Sequence, residues 1–349
     1  MRFVLLCFIV AIAFASCNNN EDCSYAGRCV NNTCICGKMF KGDDCSMINF
    51  LPQDPNRYAA FRSADNSSWC GSAIKGEDGL YHLFTSVMEN HLDLDAWENH
   101  STVVHAISTD PQGPYTYKTM LRDVESHNPS IYRAPDGTYV LFYIRWKKPF
   151  NRREISIAYT KDLNGEWTFI EPFVGEEKMK EFDPDWRPVG NPSAIFFPNG
   201  SFYLYFTNCY NHGHSQCDIR AQGVAFAQNY TSEIQYLHNK TVLYHPWDEG
   251  YCVNEDAHAF YYETGYHFIT HSEDGVWSGG HFYSPDGVNN WKYKRGYTKT
   301  MEFTDGTNIT FNNRERANIL WENGVPRYLF NGVKPKQGRT FTTVQELAH

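Results

Sequence analysis

The sequence predicts an all-β protein, a five-bladed β-propeller behind a small disulfide-rich N-terminal module. Three observations lead there. A strand–turn–strand pattern recurs five times at a spacing of roughly 60 residues, within the range of propeller blades. Six cysteines crowd into residues 17–45, a segment too short to bury a core of its own and therefore in need of staples. Aromatic residues make up 16% of the 349 residues, and such side chains suit a pleated, half-buried surface. No stretch sustains a helical period.

The elements follow in chain order. Met1-Arg2 leads into an apolar run from Phe3 to Phe14, and Ala13 and Ala15 sit where a cut before Ser16 requires small residues. Residues 1–15 read as a secretory signal peptide, with a lipoprotein signal ending at Cys17 as the competing reading. Sequons at Asn31, Asn66, Asn99, Asn199, Asn229, Asn239 and Asn308 agree with a secreted, extracellular glycoprotein. No later stretch approaches the roughly 18 apolar residues of a membrane span. A net charge of −9, with no cluster of Lys and Arg, argues against a nucleic-acid partner.

Residues 16–47 form the module. Its cysteines, Cys17, Cys23, Cys29, Cys34, Cys36 and Cys45, allow fifteen pairings, and spacing alone does not choose among them. A zinc site is the rival, which an oxidising compartment disfavours. Residues 48–56 hold Pro52 and Pro55 and read as an extended linker that few contacts cross. Of the remaining cysteines, Cys7 leaves with the signal. Cys209 and Cys217 flank a short polar loop and are placed to pair locally, which leaves Cys70 with Cys252.

The propeller occupies residues 57–349. Asn128-Pro129-Ser130-Ile131 precedes a D-G turn and Thr138-Tyr139-Val140-Leu141-Phe142-Tyr143; Asn191-Pro192-Ser193-Ala194-Ile195 precedes an N-G turn and Ser201-Phe202-Tyr203-Leu204-Tyr205-Phe206. The same hairpin grammar recurs from Cys70, Asp256 and Arg316. Further strand-like text after each hairpin, such as Val103 to Ser108 and Ile157 to Thr160, makes four strands per repeat. A β-sandwich is the alternative architecture.

In a propeller the first strand of each blade lines the central channel, so the five openers converge at one face. That geometry gathers Trp69, Cys70, His127, Asn128, Asn191, Glu255, Asp256, His258, Arg314, Glu315 and Arg316. Asp183, Asp185 and Arg187 lie just before the third opener and within reach of the rim. Carboxylates, amides, arginines and a Trp platform in one place suit a carbohydrate. Glycoside hydrolysis needs two carboxyl groups across the scissile bond, one protonated as the acid and the other acting as base or nucleophile. There is no G-x-S-x-G motif, and the spacing of His105, His258 and His281 matches no metal site. No metal or cofactor is expected.

Two resemblances sharpen this reading. Gly27-Arg28-Cys29, Cys34-Ile35-Cys36 and Gly42 make the module resemble an epidermal-growth-factor-like domain. That family implies the pairs Cys17–Cys29, Cys23–Cys34 and Cys36–Cys45, and a spacer or protein-contact role. The five openers, with Val104-His105-Ala106-Ile107-Ser108, Ser126-His127-Asn128-Pro129, Glu255-Asp256, Gly279-Gly280-His281-Phe282-Tyr283-Ser284-Pro285-Asp286-Gly287 and Arg314-Glu315-Arg316, resemble glycoside hydrolase family 43 and its relatives, the arabinanases and xylosidases. A group of secreted eukaryotic family-43-like proteins is the nearer likeness.

That resemblance implies a base Asp opening blade one, an orienting Asp opening blade three and an acid Glu in blade four. Glu255 falls at the acid's place. Cys70 and Asn191 stand where the two aspartates belong, so Asp256, Glu315 or the pair Asp183/Asp185 become the candidate sources of a second catalytic carboxylate. Trp69, His127, Asn128, Arg187, Asn191, His281, Arg314 and Arg316 are the expected substrate-binding residues. The function read from this is a secreted glycosidase acting on a terminal sugar in the axial pocket, closed by the loops Ser86–Asn99 and Tyr210–Gln216. The alternative is a catalytically idle, lectin-like propeller with an adhesive module.

Overall fold

The computed structural model describes residues 16–349 apart from 64, 148–151, 176–189, 211–218, 238–251 and 254. The segment read as a signal peptide and Arg187, Asp183 and Asp185 therefore lie outside the described residues. Five sheets follow one another along the chain, antiparallel but for one short parallel pair in the third, and each begins with the strand expected to line the channel: Ser68–Lys75, Ser126–Arg133, Gly190–Phe196, Glu255–Tyr262 and Asn313–Glu322. The protein is the five-bladed β-propeller that its repeats predict. No helix among the described residues is long and apolar enough to cross a membrane.

The turn chemistry explains the hairpins. Gly137 and Gly200 adopt φ of 84° and 88°, the left-handed conformation that lets a tight turn match the twist of its flanking strands. A second feature repeats in all five blades. Each inner strand carries a register shift near its start, at Trp69/Ser72, His127/Ser130, Gly190/Ser193, Glu255/His258 and Glu315/Asn318. The opener inside each shift is left-handed without being glycine: Cys70, Asn128, Asn191, Asp256 and Arg316 have φ between 52° and 62°. Such a conformation is unfavourable for side-chain-bearing residues, so a fivefold occurrence marks a β-bulge built into the fold to aim these side chains.

The core lies between neighbouring blades. Val140, Phe142, Ile155 and Ile157 of blade two meet Phe202, Leu204 and Phe206 of blade three in one cluster. Around the channel, side chains two places after three of the openers tie their blade to the next. Ser72 Oγ accepts the Ile131 amide at 3.1 Å, Ser193 Oγ accepts the Ala259 amide at 2.8 Å, and His258 Nε2 accepts the Ile319 amide at 3.2 Å.

The ring closes in a way that the repeats do not announce. Blade five takes its outermost strand from Ala59–Phe61, which pairs with Phe341–Glu346 and so joins the two ends of the propeller.

The module folds around three disulfides, Cys17–Cys29, Cys23–Cys34 and Cys36–Cys45. It does not hang on a free linker, and the expectation of few contacts across residues 48–56 is corrected. Met39, Phe40 and Ile48 share one apolar cluster with Phe260, Ile269, Tyr297 and Ile319 of blades four and five. Phe50 bridges to Leu347 and Gln53 to Phe303, and the Leu51 amide donates to the Glu346 carbonyl at 2.9 Å. The physical reason is hydrophobic: so small a disulfide scaffold exposes apolar side chains that blade four can bury.

Candidate active site

The openers meet on the axis as their spacing predicts. Arg316 lies at their centre, 1% exposed. Its guanidinium donates to the carbonyls of Asn128, at 3.1 Å, and Pro192, at 3.4 Å, and to Ser130 Oγ at 3.2 Å. Its other terminal nitrogen lies 3.9 Å from Asp256. Asn128 Nδ2 donates to Asn191 Oδ1 at 2.7 Å, while Asn128 Oδ1 has no hydrogen-bond partner. One arginine thus holds three blades together at the face where the bulges aim their side chains.

Three ionisable groups surround this centre. Glu255 precedes the blade-four opener, and Glu315 precedes the blade-five opener. Between them stands His271, from the second strand of blade four, with Nε2 3.3 Å from Glu315 and Nδ1 3.8 Å from Glu255. The strand register places it there, since Glu255 pairs with His271. Sequence reasoning missed His271; counting pairs back from the Thr264-Gly265 turn would have found it.

The electrostatics separate the acids. Burial, and then the neighbouring Glu255 charge, push the Asp256 carboxyl up to about 7, against the lowering influence of Arg316. The Asp256 carboxyl is therefore partly protonated near neutral pH, beside the Glu255 charge. The side chain of Glu255 is 22% exposed and that of Asp256 6%, so Glu255 is the member that reaches solvent. Glu255, Asp256 and His271 also offer ligand-type atoms within 4.8 Å of one another, as a cation would require. The Arg316 guanidinium already places positive charge beside Asp256.

Several expected binding residues lie elsewhere or are already engaged. Arg314 is fully buried between the rings of Phe50 and Tyr297, at 4.5 and 5.1 Å, and donates to Asn331 and Gln345. It is a structural clamp: the bulge at the left-handed Arg316 breaks the alternation that would otherwise put residues 314 and 316 on one face. His281 is buried at the module seam: Phe40 stacks on it at 4.6 Å and its Nδ1 donates to the Ser46 carbonyl. Trp69 is 4% exposed and packs with Met88, Leu92, Leu94 and Trp97, so it fills space and presents no sugar platform. His127 shares a hydrogen bond of 2.7 Å with Ser101 of blade one, and burial, reinforced by Arg316, pushes its pKa down to about 3.

The loop Ser86–Asn99 ends in a short helix, Trp97–His100, whose Trp97 ring lies tilted against His127 at 4.9 Å. The loop Tyr210–Gln216 lies almost wholly outside the described residues.

The expected Cys70–Cys252 bridge is also corrected. Cys70 is a free, fully buried thiol, 3.6 Å from Ser86 Oγ. The cause lies in the blades: Cys70 points into blade one at its bulge, whereas Cys252 lies in a strand paired with Ile219 of blade three. Burial pushes the thiol up to about 11, so it is no base at neutral pH. The proposed partner pair, Cys209 and Cys217, falls outside the residues whose side chains are described.

No protein-family model matches the chain, and no curated protein matches it in sequence. Solved structures match it in fold. One is a family 43 β-xylosidase/α-arabinofuranosidase from a compost microbial metagenome, 14% identical with a TM-score of 0.58, covering 86% of this chain and 96% of its own. A family 117 glycoside hydrolase of the marine bacterium Zobellia galactanivorans is 14% identical with a TM-score of 0.57, covering 89% and 92%. A member of the family 130 enzymes whose hydrolases target β-1,2 mannosidic linkages in Candida mannan is 13% identical with a TM-score of 0.56, covering 88% and 96%. The fold is that of the five-bladed propeller glycoside hydrolases. Because that fold serves three enzyme families, it does not select the sugar.

Proposed function

We propose that this protein is a secreted glycosidase that binds a terminal sugar of a glycan at the opener end of the propeller axis. The observation that carries the reading is the pairing of two partly exposed carboxyl groups, Glu255 and Glu315, on either side of one imidazole, His271. Glu255, relaying a proton from the buried Asp256 carboxyl beside it, protonates the leaving oxygen as general acid. Glu315, held by His271, is the carboxylate that activates water or attacks the anomeric carbon. A buried carboxyl with its pKa near neutrality is what acid catalysis at physiological pH requires. Asn128 Oδ1 is a free acceptor for a sugar hydroxyl.

A second reading, an idle glycan-binding propeller with an epidermal-growth-factor-like contact module, is favoured by one observation. The blade-one opener is a buried thiol and the blade-three opener an amide already bonded to Asn128, so neither supplies a carboxylate.

A panel of aryl glycosides and natural oligosaccharides, assayed with the wild type and Glu255→Gln, separates the two. On the enzyme reading, one substrate is turned over, and Glu255→Gln lowers its rate by at least about a hundredfold, the usual contribution of a general acid. The fold should survive, since the change is isosteric. Wild-type turnover in a folded Glu255→Gln protein removes Glu255 as the acid. Binding without turnover across the panel establishes the second reading.

A further inference from the structure

The first hairpin of blade three turns on Phe197-Pro198-Asn199-Gly200-Ser201, at the end of its inner strand away from the opener. The Phe197 amide donates to the Ser201 carbonyl at 2.7 Å, and the Gly200 amide donates to the Phe197 carbonyl at 2.9 Å. With Gly200 left-handed, this is a β-turn that closes on a glycine bulge. Blade two builds the same turn from Ala134-Pro135-Asp136-Gly137-Thr138, with the two equivalent bonds at 2.8 and 2.9 Å. Asp136 Oδ1 accepts the Thr138 amide at 2.9 Å, as Asn199 Oδ1 accepts the Ser201 amide at 3.1 Å. The two turns differ where it matters at two places. Blade two has Ala134, 4% exposed, and an aspartate; blade three has a phenylalanine and an asparagine.

Phe197 is partly exposed on this turn. Its ring meets Tyr203 in a T-shaped contact, centroids 4.9 Å apart, which covers one of its faces at most. Apolar surface is thus left in water where alanine serves the same backbone. Asn199 is exposed, and its Oδ1 also accepts from Ser201 Oγ at 2.7 Å. Its Nδ2 makes no hydrogen bond among the described residues. Asn199-Gly200-Ser201 is a sequon. The turn keeps its first and last residues within about 7 Å, so a sugar on Asn199 starts within reach of the ring. Two other sequons lack this arrangement. Asn229 has the same hydroxyl contact, from Thr231 at 2.7 Å, but two places before it stands the buried Ala227. Trp97 stands two places before Asn99, but on a helix, with its ring against His127 and under Arg153.

We propose that Asn199 is an N-glycosylation site whose first N-acetylglucosamine lies on the Phe197 ring. The step is glycosyl transfer from a lipid-diphosphate-linked oligosaccharide of the secretory pathway. Nδ2 bonds to the anomeric carbon of the reducing-end N-acetylglucosamine and loses one proton. The bond from that carbon to the diphosphate oxygen breaks, and the lipid diphosphate leaves with the electron pair. Ser201 is 3% exposed in the fold, so transfer precedes closure of the hairpin. The C–H face of the pyranose then covers phenylalanine surface that water otherwise meets. The inference rests on the secreted part of the proposed function and not on catalysis. Because the turn lies at the far end of the inner strand from the opener, the glycan leaves the proposed sugar site open.

Glycopeptide mapping of the full chain secreted by animal cells tests the site, with every glycan trimmed by an endoglycosidase to one N-acetylglucosamine. Nearly all copies of the Asn199 peptide should carry the sugar. Thermal unfolding of the same material tests the contact. Asn199→Asp keeps the turn's acceptor, as Asp136 does in blade two. It should lower the melting temperature by about 1–3 °C, the worth of one ring contact in a chain of this size. In a Phe197→Ala background, which gives blade three the residue of blade two, the same change should leave the melting temperature nearly unmoved. A secreted chain with other sequons filled and Asn199 bare overturns the site. An Asn199→Asp shift that is absent, or equal in both backgrounds, overturns the ring contact. A chain retained in the cell with every sequon bare overturns the secreted reading and this proposal together. Occupancy of Asn199 on a chain that hydrolyses no glycoside supports the proposal and counts against the glycosidase alone.

Discussion

At the opener end of the axis Arg316 and Asp256 lie buried 3.9 Å apart, with Glu255 and Glu315 reaching toward solvent around them. At the seam between the module and blade four, His267 and His281 are as deeply buried, but their partners are a second imidazole, carbonyls and the Phe40 ring. The first region keeps charge where a ligand can feel it. The second keeps ionisable rings neutral and uses them as flat, hydrogen-bonded packing material. Both sets of residues read alike in the sequence, as polar side chains on strands of the repeat. What separates them is the face of the strand each occupies and what covers that face.

The sharpest break in this comparison is removal of the axial charge. Arg316→Met should cost about 3–5 kcal/mol, because it strands the Asp256 carboxyl and three acceptor oxygens in a buried site. Denaturant unfolding measures it, and a loss under about 1 kcal/mol would mean that the axis is not held by this arginine. The seam should respond less, because its partners are apolar. Phe40→Ala deletes a ring that stacks on His281 and contacts Tyr262 and His267, at about 3 kcal/mol. The signature should be local: proteolysis between module and propeller at a protein concentration and temperature where the wild type resists. Unaltered resistance would show that the module is held by the chain alone.

Acid should open the seam before it opens the axis. His281 Nδ1 donates to the Ser46 carbonyl, which leaves neutral His267 one proton to place between the Tyr262 carbonyl at 3.1 Å and His281 Nε2 at 2.9 Å. An added proton creates a buried imidazolium with no acid beside it among these contacts. Burial pushes His281 down to about 3 and His267 well below its ordinary value, and the charge of His281 adds to the effect at His267. A histidine whose folded pKa lies below the unfolded value near 6.5 contributes stability that is complete above that pH. The contribution is lost as pH falls toward 3, by up to about 2 kcal/mol per ring at pH 5. His281→Asn should flatten the fall of melting temperature between pH 6.5 and 5. An equally steep fall would place the acid sensitivity in His105, His127 or His258, which are also held near 3.

The fold was legible because the repeat writes its own punctuation. Five openers, four of them followed by D-G, N-G or E-N-G text, needed no knowledge of distant contacts. The closing strand Ala59–Phe61 was not legible, since three small and aromatic residues carry no period and their partner lies at the other end of the chain. The docked module was missed for the same reason: Ser46 meets His281 across 235 positions. At the site, Glu255, Asp256, Glu315 and Arg316 could be placed by register. Arg314, two residues from Arg316, was misassigned because strand alternation puts the two on one face, and the bulge at Arg316 undoes it. His271 was overlooked because it sits on a second strand, and attention to the openers excluded that strand.

The smallest expected effect concerns Cys70, and it tests the even-count argument that sequence reasoning relied on. Four cysteines in an oxidising compartment suggested two bridges, yet the thiol at the blade-one opener is turned toward Ser86 in a closed interior. It should therefore be found free in peptide mapping under non-reducing conditions. In the native protein it should resist alkylation, since burial both blocks the reagent and holds the thiol near 11, far above neutral pH. In denaturant it should react at once. Cys70→Ser should cost only about 1 kcal/mol, the difference between burying a thiol and burying a hydroxyl beside a hydroxyl partner. It should leave the axis intact, because the Cys70 carbonyl, and not its sulfur, receives the Thr85 and Thr342 hydroxyls. A Cys70–Cys252 peptide would restore the bridge and require blades one and three to approach differently. Rapid native alkylation would instead mean that the blade-one opener is open to the pocket, and that a thiol stands in the sugar site.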